Sequence, residues 1–221
     1  MTTQDSQHLI VMDIDSTLIN QEVIDLLGAE AGVGERVAKV TERAMRGELD
    51  FRQALEERVA LLAGLDESVF ERTLARVTFT PGALDLVAEA HRRGWKVGVV
   101  SGGFHEVADR IVAAAGIDYC LANRLEVVDG KLTGKLAADI VTKERKLEAL
   151  RRWANGLGIS MEQTIAMGDG ANDIPMILAA GVGIAFCAKP KVQAAAPHHI
   201  NERNLMLAWD IIDGKRENAW L

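Results

Sequence analysis

The sequence has little cysteine, no long apolar run and no excess of positive charge, and each absence narrows the class of protein. Two cysteines among 221 residues, Cys120 and Cys187, do not indicate a disulfide framework, and free thiols in a cytoplasmic protein are expected. No stretch approaches the roughly 20 apolar residues of a membrane-spanning helix. The segment Met1–Asp5 lacks a basic region followed by an apolar one, so we do not expect a secretory signal.

Basic residues are outnumbered, since 25 lysines and arginines stand against 32 acids and give a net charge of −7. Nucleic acid and anionic membrane surfaces are therefore not expected partners. A small anionic substrate would need a local positive site within this unfavourable overall field. Apolar residues make up 48% of the chain, which is ample for a packed core, and the length fits one domain with a substantial insertion.

Short apolar runs bounded by turn residues alternate with helical patterns. The runs lie at 9–12, 95–100, 163–167 and 182–186, and the helical patterns lie at 82–93, 104–116, 143–155 and 172–180. Buried strands that alternate with helices are typical of an α/β fold, a Rossmann-like parallel sheet covered on both faces. A small insertion at 121–136 reads as a β-hairpin whose two-residue turn is Asp129-Gly130.

Residues 18–77 interrupt this alternation with four consecutive helical patterns. These patterns lie at 20–30, 34–46, 50–63 and 66–77. We predict that they form an inserted helical cap over the carboxyl edge of the sheet, where ligands bind in such folds. Residues 1–17 and 78–221 would then form the α/β core.

Two carboxylates follow the first apolar run directly. Asp13 and Asp15 lie two residues apart, and side chains at that spacing on a strand point to the same side. Close carboxylates repel unless a positive charge lies between them, and a hard divalent cation such as Mg²⁺ suits oxygen ligands. The alternative is that these acids cap a helix starting near Ser16, since Asp, Ser and Thr are all good N-caps.

Polar groups also follow two other predicted strands. Ser101 and Gly102 come after the run 95–100, and a hydroxyl followed by glycines suits an anion at a helix N-terminus. The alternative is an ordinary strand-to-helix turn with a serine cap. Asp169, flanked by glycines, follows the run 163–167 and is predicted to point into the same space as Asp13.

These motifs together resemble a known family. D-x-D-S-T at 13–17, S-G-G at 101–103, a downstream lysine and G-D-G-x-N-D at 168–173 are similar to the motif series of the haloacid dehalogenase-like phosphatases. The resemblance covers essentially the whole chain from about His8 onward. It implies the fold of that family, with a helical cap, and we expect no regulatory extension at the N-terminus.

The resemblance assigns the reacting groups. Asp13 would be the nucleophile that forms an aspartyl-phosphate. Asp15 would donate a proton to the leaving oxygen and then act as the base that activates water. The metal ion, Mg²⁺, would be held by Asp13, by the backbone carbonyl of Asp15 and by Asp169.

The resemblance also assigns phosphate-binding groups. Ser101 and the N–H of Gly102 would hold the phosphoryl oxygens. Lys146, 23 residues before Asp169, would neutralise the phosphoryl group. Asn172 would orient the phosphate or the attacking water. Asp173, the last residue of the motif, could cap the next helix, support Asp169 from behind, or both.

Glu22 and Arg58 would bind the amino and carboxylate groups of a serine substrate, whose two opposite charges they complement. The resemblance thus implies Mg²⁺-dependent hydrolysis of O-phospho-L-serine, the last step of serine biosynthesis, by a monomer or homodimer. One alternative is a related phosphatase or phosphotransferase acting on another phosphomonoester. A second is a phosphoaspartyl signalling domain, although the acid two residues after the nucleophile speaks against a long-lived phosphate.

Three of these assignments have local alternatives. Lys143 and Arg145 rival Lys146 in a charged helix start that would normally face solvent. Arg58 could form an ion pair on a helix surface, and Glu22 could belong to the first turn of a helix.

Several residues of chemical interest lie outside the motifs. Met45 and Phe51 could line the apolar side of the pocket or pack in the core of the cap. The five histidines form no motif and are expected to face solvent, with His198 and His199 on a loop. Cys187 is expected to be a buried small residue rather than a reactive thiol.

Overall fold

A six-stranded parallel sheet forms the centre of the structure. The computed structural model describes residues 7–215. The strands are β1 (Leu9–Met12), β2 (Lys96–Phe104), β3 (Tyr119–Asn123), β4 (Leu125–Val128), β5 (Lys131–Leu136), β6 (Thr164–Gly168), β7 (Val182–Phe186) and β8 (His198–Ile200). The parallel sheet has the order β3-β2-β1-β6-β7-β8, and β4 pairs with β5 as a separate antiparallel hairpin. The predicted α/β fold is therefore confirmed.

Helices pack against this sheet and also form the insertion between β1 and β2. They are α1 (Val23–Glu30), α2 (Gly34–Met45), α3 (Phe51–Ala60), α4 (Val69–Leu74), α5 (Ala83–Arg92), α6 (His105–Ala115), α7 (Lys143–Gly156), α8 (Ile174–Ala179), α9 (Pro190–Ala195) and α10 (Ala208–Ile212). Within residues 7–215, no helix has both the length and the apolar character needed to cross a bilayer.

Strand β1 has a core on each of its faces because every one of its residues is apolar and buried. Ile10 and Met12 pack into one hydrophobic cluster, and Leu9 and Val11 pack into the other. Each such fully buried side chain contributes about 1.5–3 kcal/mol through removal of apolar surface from water. This burial on both faces fixes β1 as the central strand.

The register of the sheet aligns the strand ends that matter for the site. Met12, the last residue of β1, pairs with Val99 of β2 and with Met167 of β6. Because all three strands are parallel, their carboxyl ends reach the same edge of the sheet. Asp13 and Asp169 follow directly at that edge.

Helices α1 to α4 lie between β1 and β2 in the chain, and backbone hydrogen bonds tie this segment to the rest of the described structure at two places. At their base, Ile19 and Phe79 form an antiparallel bridge, and Asn20 N–H donates to the carbonyl of Thr78 at 3.0 Å. These four helices fall within the predicted cap, 18–77, and the division of the chain into core and cap stays a prediction.

The second tie joins the α3–α4 connection to the β4–β5 hairpin. The N–H of Gly64 donates to the carbonyl of Leu132 at 2.8 Å, and the N–H of Leu132 donates to Leu65 at 2.8 Å. A third bond runs from the N–H of Glu67 to the carbonyl of Gly130 at 2.9 Å. The hairpin therefore contacts the four-helix insertion through its backbone.

The hairpin itself matches the prediction. Val128 pairs with Lys131, so the turn has two residues, Asp129 and Gly130. Their φ angles of 50° and 73° lie in the left-handed region that a tight hairpin turn of this kind requires.

Two short strands differ from the prediction. His198 and His199 lie in β8, an edge strand that pairs with β7, rather than on a loop. The three residues of β8 are too few for an apolar alternation to show in the sequence. Strand β3 was not predicted either, and β2 continues through Ser101 and Gly102 to Phe104, so the next helix begins at His105.

The segment after Asp13 does not form the alternative helix that would start near Ser16. Residues 14–18 form a single irregular turn in which Asp15 is extended and Ser16 has φ +56°. No helix begins at Ser16, so neither Ser16 nor Thr17 is a helix cap. The first helix, α1, starts only at Val23.

The expectation that the histidines face solvent is wrong for four of the five, and only His91 is exposed. His8 is half-buried and stacks on the ring of Trp95. His105, His198 and His199 are also half-buried. Nδ1 of His105 lies 2.7 Å from Oδ1 of Asp109, and its Nε2 accepts from the N–H of Ala122 at 3.2 Å, so packing and hydrogen bonding explain its place.

Both cysteines are free and half-buried, so Cys187 is less buried than the sequence predicts. The segment Met1–Asp5, considered above as a possible signal, lies outside the described residues.

Candidate active site

Three acids converge where β1 and β6 end. The carboxylate oxygens of Asp13, Asp169 and Asp173 offer ligand atoms that all lie within 4.8 Å of one another. The N–H of Asp13 continues the sheet by donating to the carbonyl of Met167 at 3.0 Å, which fixes the backbone from which its side chain projects. The acids predicted from two separate strand ends thus lie together.

Lys146 reaches this cluster from the first turns of α7. Its Nζ lies 2.9 Å from Oδ1 of Asp13 and 2.7 Å from Oδ1 of Asp173, and the side chain is fully buried. Its two rivals point elsewhere. Lys143 is exposed, and Arg145 donates to the carbonyl of Asp139 at 2.8 Å.

The Lys146 contacts decide the charge balance. Burial alone would lower the pKa of Lys146, but the charges of Asp13 and Asp173 raise it above its usual value. Burial raises the pKa of Asp13 well above its usual range, although the nearby ammonium opposes the shift. Lys146 therefore stays charged, but its single positive charge does not fully compensate the acids around it.

Asp173 uses both carboxylate oxygens within the protein. Oδ1 accepts from Lys146, and Oδ2 accepts from the N–H of Gly170 at 3.0 Å. Its side chain makes no cap hydrogen bond to α8. Of the two roles considered for this residue, the geometry favours support of the loop that holds Asp169.

Asp15 is held apart from the acidic cluster. Its Oδ1 accepts from the N–H of Val23, the first residue of α1, at 3.3 Å. Burial, followed by the charge of Glu22, raises the pKa of Asp15 to about 8. A carboxyl group with this pKa carries a proton at neutral pH, as a general acid must.

The Ser101-Gly102-Gly103 segment lies against Asp15. A Cβ added at Gly103 would be 2.9 Å from Oδ2 of Asp15 and 3.0 Å from Oγ of Ser101. Oγ of Ser101 accepts from the N–H of Gly103 at 2.8 Å, which leaves the hydroxyl proton available to another acceptor. Only a glycine at 103 allows this close approach.

Glu22 and Arg58 come from the helical insertion. Glu22 is exposed at the start of α1, and its Oε1 accepts from the hydroxyl of Ser16 at 2.6 Å. Arg58 is half-buried in α3, and its Nε donates to the carbonyl of Ala54 at 3.1 Å. Burial lowers the pKa of Arg58, while the charges of Asp25 and Glu22 oppose that shift. The two predicted substrate-binding residues, Glu22 and Arg58, are therefore close enough to interact electrostatically.

The two apolar residues of the insertion do not pack in its core. Met45 is 72% exposed and Phe51 is 39% exposed. A Cβ added at Gly102 would lie 3.5 Å from Cζ of Phe51, so this ring lies over the end of β2. Asn172 is half-buried in the loop that also contains Asp169.

The acidic cluster fits a metal ion. Burial, followed by the charges of Asp173 and Glu22, raises the pKa of Asp169 to about 6. A positive charge placed between these acids would favour their ionised forms and lower their pKa values. Oxygen donors of this kind suit a hard divalent cation, and Asp13 and Asp169 offer carboxylate oxygens within 4.8 Å of one another.

Two residues near the site were not found from the sequence. Asn123, the last residue of β3, bonds to the backbone of Gly102. Arg203 donates from Nη2 to the carbonyls of Ser16 and Ile19 at 3.2 and 3.3 Å, so it braces the turn that contains Asp15. Neither belongs to one of the motifs identified in the sequence.

The fold and the acids grouped around a buried lysine define an α/β enzyme with an inserted set of helices. The chain belongs to the haloacid dehalogenase-like hydrolases, whose family profile matches residues 10–178.

Among curated proteins, the chain is 62% identical over 205 residues to a phosphoserine phosphatase of Streptococcus thermophilus, with 93% of this chain and 95% of that protein covered. It is 51% identical, with the same coverage, to a phosphoserine phosphatase of Lactococcus lactis.

Two solved structures are also similar. One is described as a phospho-aspartyl intermediate analogue of phosphoserine phosphatase, with 45% identity and a TM-score of 0.87 over 93% of this chain and 98% of that one. The other is a substrate-bound phosphoserine phosphatase complex, with 44% identity, a TM-score of 0.88 and the same coverage.

Proposed function

We propose that this chain is a phosphoserine phosphatase, which hydrolyses O-phospho-L-serine to L-serine and phosphate with Mg²⁺ as its metal ion. The observation that supports this most directly is the contact of the buried Lys146 with Asp13, at the edge of the sheet where Asp169 also lies. The names and high identities of the relatives point to the same reaction.

Asp13 is the nucleophile in this proposal. Its carboxylate attacks phosphorus, the ester bond to the serine oxygen breaks, and an aspartyl-phosphate forms. An anionic nucleophile is repelled by an anionic phosphoryl group unless positive charge offsets the repulsion. The Lys146 ammonium, 2.9 Å from Oδ1 of Asp13, supplies part of that charge. Bound Mg²⁺ would supply the rest by neutralising the phosphoryl oxygens.

Asp15 moves the protons. Its raised pKa of about 8 keeps a proton available at neutral pH for the departing serine oxygen. Once that proton is given up, the same carboxylate takes a proton from water as the water oxygen attacks the phosphorus of the aspartyl-phosphate. The bond between phosphorus and the Asp13 oxygen breaks, which regenerates the Asp13 carboxylate and releases inorganic phosphate. The phosphoryl group is held during both steps by the Ser101 hydroxyl and the Gly102 N–H, while Asn172 orients the phosphate or the water. Positioning and charge neutralisation are the main requirements of phosphoryl transfer.

Substrate selection falls to the inserted helices. Glu22 would bind the ammonium group of phosphoserine, and Arg58 would bind its carboxylate in the fork geometry of a guanidinium. In this proposal residues 18–77 act as a cap that excludes bulk water from the site, as lids do. The reaction would complete serine biosynthesis in the cytoplasm, and the enzyme would be a monomer or a homodimer.

Phosphate release from a matched set of phosphomonoesters tests the proposal. The set contains O-phospho-L-serine, O-phosphoethanolamine, which lacks the carboxylate, and 3-phosphooxypropanoate, which lacks the amino group. We expect hydrolysis of phosphoserine to be strongly preferred, to stop with EDTA and to return with Mg²⁺. Asp13→Asn should lower the rate by at least about 10³-fold, since it removes the nucleophile.

Asp139→Asn is the control, because Asp139 is an exposed acid in the connection before α7. This variant should keep the wild-type rate. Equal turnover of all three esters would contradict the substrate assignment. Activity that survives Asp13→Asn would contradict the covalent mechanism. Transfer of the phosphoryl group to an added amino-acid hydroxyl, without release of phosphate, would favour a phosphotransferase.

A further inference from the structure

Asn123 joins the two backbone segments that lead to the phosphate-binding groups. It ends β3, and the residue is only 2% exposed. Its Nδ2 donates to the carbonyl of Gly102 at 2.8 Å, and its Oδ1 accepts from the N–H of Val141 at 2.7 Å. An amide is the side chain that can give a proton at one end and accept one at the other.

On the Gly102 side, the amide stabilises an irregular part of the sheet. Strand β2 pairs with β3 in register up to Val100, and the register shifts before Phe104 pairs with Asn123. Gly102 lies within this shift, and a glycine peptide has more rotational freedom than any other. Asn123 binds the carbonyl of the Gly102–Gly103 peptide, and the hydroxyl of Ser101 binds its N–H at 2.8 Å. The plane of this peptide is thus fixed at both ends.

That fixed peptide determines what Ser101 can do. Because Oγ of Ser101 already accepts from Gly103, its own proton must be donated in another direction. If the Gly102–Gly103 peptide rotated, this constraint on the hydroxyl would be lost. Asn123 therefore influences the direction of the Ser101 proton without a contact to Ser101.

On the Val141 side, the amide holds the start of α7. Val141 precedes Thr142, whose hydroxyl oxygen accepts from the N–H of Arg145 and caps the helix. Lys146 is the residue after Arg145 and lies within the first turn of the same helix. A shift of Val141 would move this helix start and, with it, the ammonium that contacts Asp13.

We propose that Asn123 is a positioning residue, which keeps the Ser101-Gly102 backbone and the start of α7 at a fixed separation for a phosphoryl group bound between them. It acts through Gly102 and Val141. This inference rests on the proposed phosphatase function, and it adds a residue outside the motifs to the machinery of that reaction.

The test replaces Asn123 with aspartate, which has nearly the same size. Asn123→Asp keeps an oxygen that can accept from Val141, but it places a second carboxylate oxygen against the carbonyl of Gly102. We expect kcat for O-phospho-L-serine to fall by about 10²-fold, the effect of a displacement of roughly 1 Å in a catalytic group. KM should change less than about threefold, because Glu22 and Arg58 bind the other end of the substrate.

Gln163→Glu is the matched control. Gln163 also uses both ends of its amide on backbone, donating to Gln7 and accepting from Ser160, each at 3.0 Å. It precedes β6, at the opposite edge of the sheet from the site. The control should lose stability without a change in kcat, as a merely structural amide would.

The outcomes separate this inference from the proposed function. If the wild-type enzyme releases no phosphate from phosphoserine, the proposed function and the inference are both overturned. If the wild type is active and folded Asn123→Asp has the same kcat, only the inference is overturned. If the aspartate variant does not fold, Asn123→Ser replaces it, with an expected loss in kcat of at least about tenfold. A wild-type kcat in the folded serine variant overturns the inference.

Discussion

Nζ of Lys146 and Oδ1 of Asp13 lie 2.9 Å apart, although 133 residues separate them in the chain. The lysine side chain is fully buried and that of the aspartate is 9% exposed, so this ion pair is shielded from water. Asp173 forms the second contact of the ammonium at 2.7 Å. The charge of one lysine is thus shared by two buried acids, and stability and activity both depend on it.

Lys146→Met should therefore destabilise the protein as well as inactivate it. The substitution leaves Asp13 and Asp173 buried without their cation, and removal of one member of a buried ion pair lowers the free energy of unfolding by about 3–5 kcal/mol. Urea denaturation in EDTA measures this loss. Lys143→Met, an exposed lysine at the start of the same helix, is the control and should unfold like the wild type. Wild-type stability of Lys146→Met would show that the buried pair is not stabilising.

The metal-free protein should lose stability as the pH rises. The folded form holds a proton on Asp15 up to a pKa of about 8 and on Asp169 up to about 6. The unfolded chain releases both protons near pH 4. Between these values the folded form binds more protons, so the free energy of unfolding decreases from about pH 4 to about pH 8.

Melting temperatures in EDTA at pH 5, 6, 7 and 8 measure this dependence, and Asp15→Asn should flatten it between pH 6 and pH 8. Stabilisation by MgCl₂ should grow over the same range, because a metal ion requires deprotonated ligands. A melting temperature in EDTA that rises from pH 5 to pH 8 would contradict the proposed protonation of these acids.

Arg58→Ala should weaken substrate binding more than turnover. A hydrogen-bonded charge pair contributes about 1.5–3 kcal/mol, which corresponds to a rise in KM for phosphoserine of roughly 10- to 100-fold. The kcat should stay within about threefold of the wild type, since Arg58 does not touch the reacting atoms in the proposed mechanism. Hydrolysis of O-phosphoethanolamine, which lacks a carboxylate, should not change.

Arg52→Ala provides the control for this experiment. Arg52 lies in the same helix but is exposed, and its Nη1 lies 3.4 Å from Oε1 of Glu56. Its replacement should leave both kinetic constants unchanged. An unaltered KM in Arg58→Ala would show that Arg58 does not bind the substrate carboxylate.

Gly103→Ala should reduce activity through Asp15. The added methyl group would lie 2.9 Å from Oδ2 of this acid, closer than ordinary contact allows, and would push it out of position. A displacement of about 1 Å in a catalytic group lowers kcat by about 10²-fold. At Gly102 the added atom would make an ordinary contact, 3.5 Å from Phe51, so Gly102→Ala should lose far less activity. Equal kcat values for the two variants would contradict this explanation.

The sequence predicted the parallel sheet and its acidic edge because these depend on strong local patterns. Continuous apolar runs identify buried strands, and the carboxyl ends of parallel strands meet at one edge. The sequence alone could not identify Lys146 rather than Lys143 or Arg145 as the buried basic residue without the spacing to Asp169 that the family motifs show. The choice depends on which side of α7 faces Asp13, and the charged helix start does not encode that orientation.

Other features could not be predicted because they depend on tertiary contacts alone. Strand β8 begins with two histidines and has three residues, so only its pairing with β7 identifies it. Asn123 and Arg203 bind backbone atoms that are 18 to 187 positions away in the chain, and no local sequence pattern indicates such partners. Phe51 is partly exposed and lies next to Gly102, whereas its sequence environment fits a core position equally well.

The order of strands in the sheet has a consequence for folding during synthesis on the ribosome. Strand β1 is synthesised first, yet its two neighbours are β2, which ends at Phe104, and β6, which ends at Gly168. The four apolar residues of β1 therefore lack their pairing with β6 until more than two thirds of the protein has been synthesised. Early shielding of β1 by chaperones or by the first helices would protect this strand from pairing with other chains.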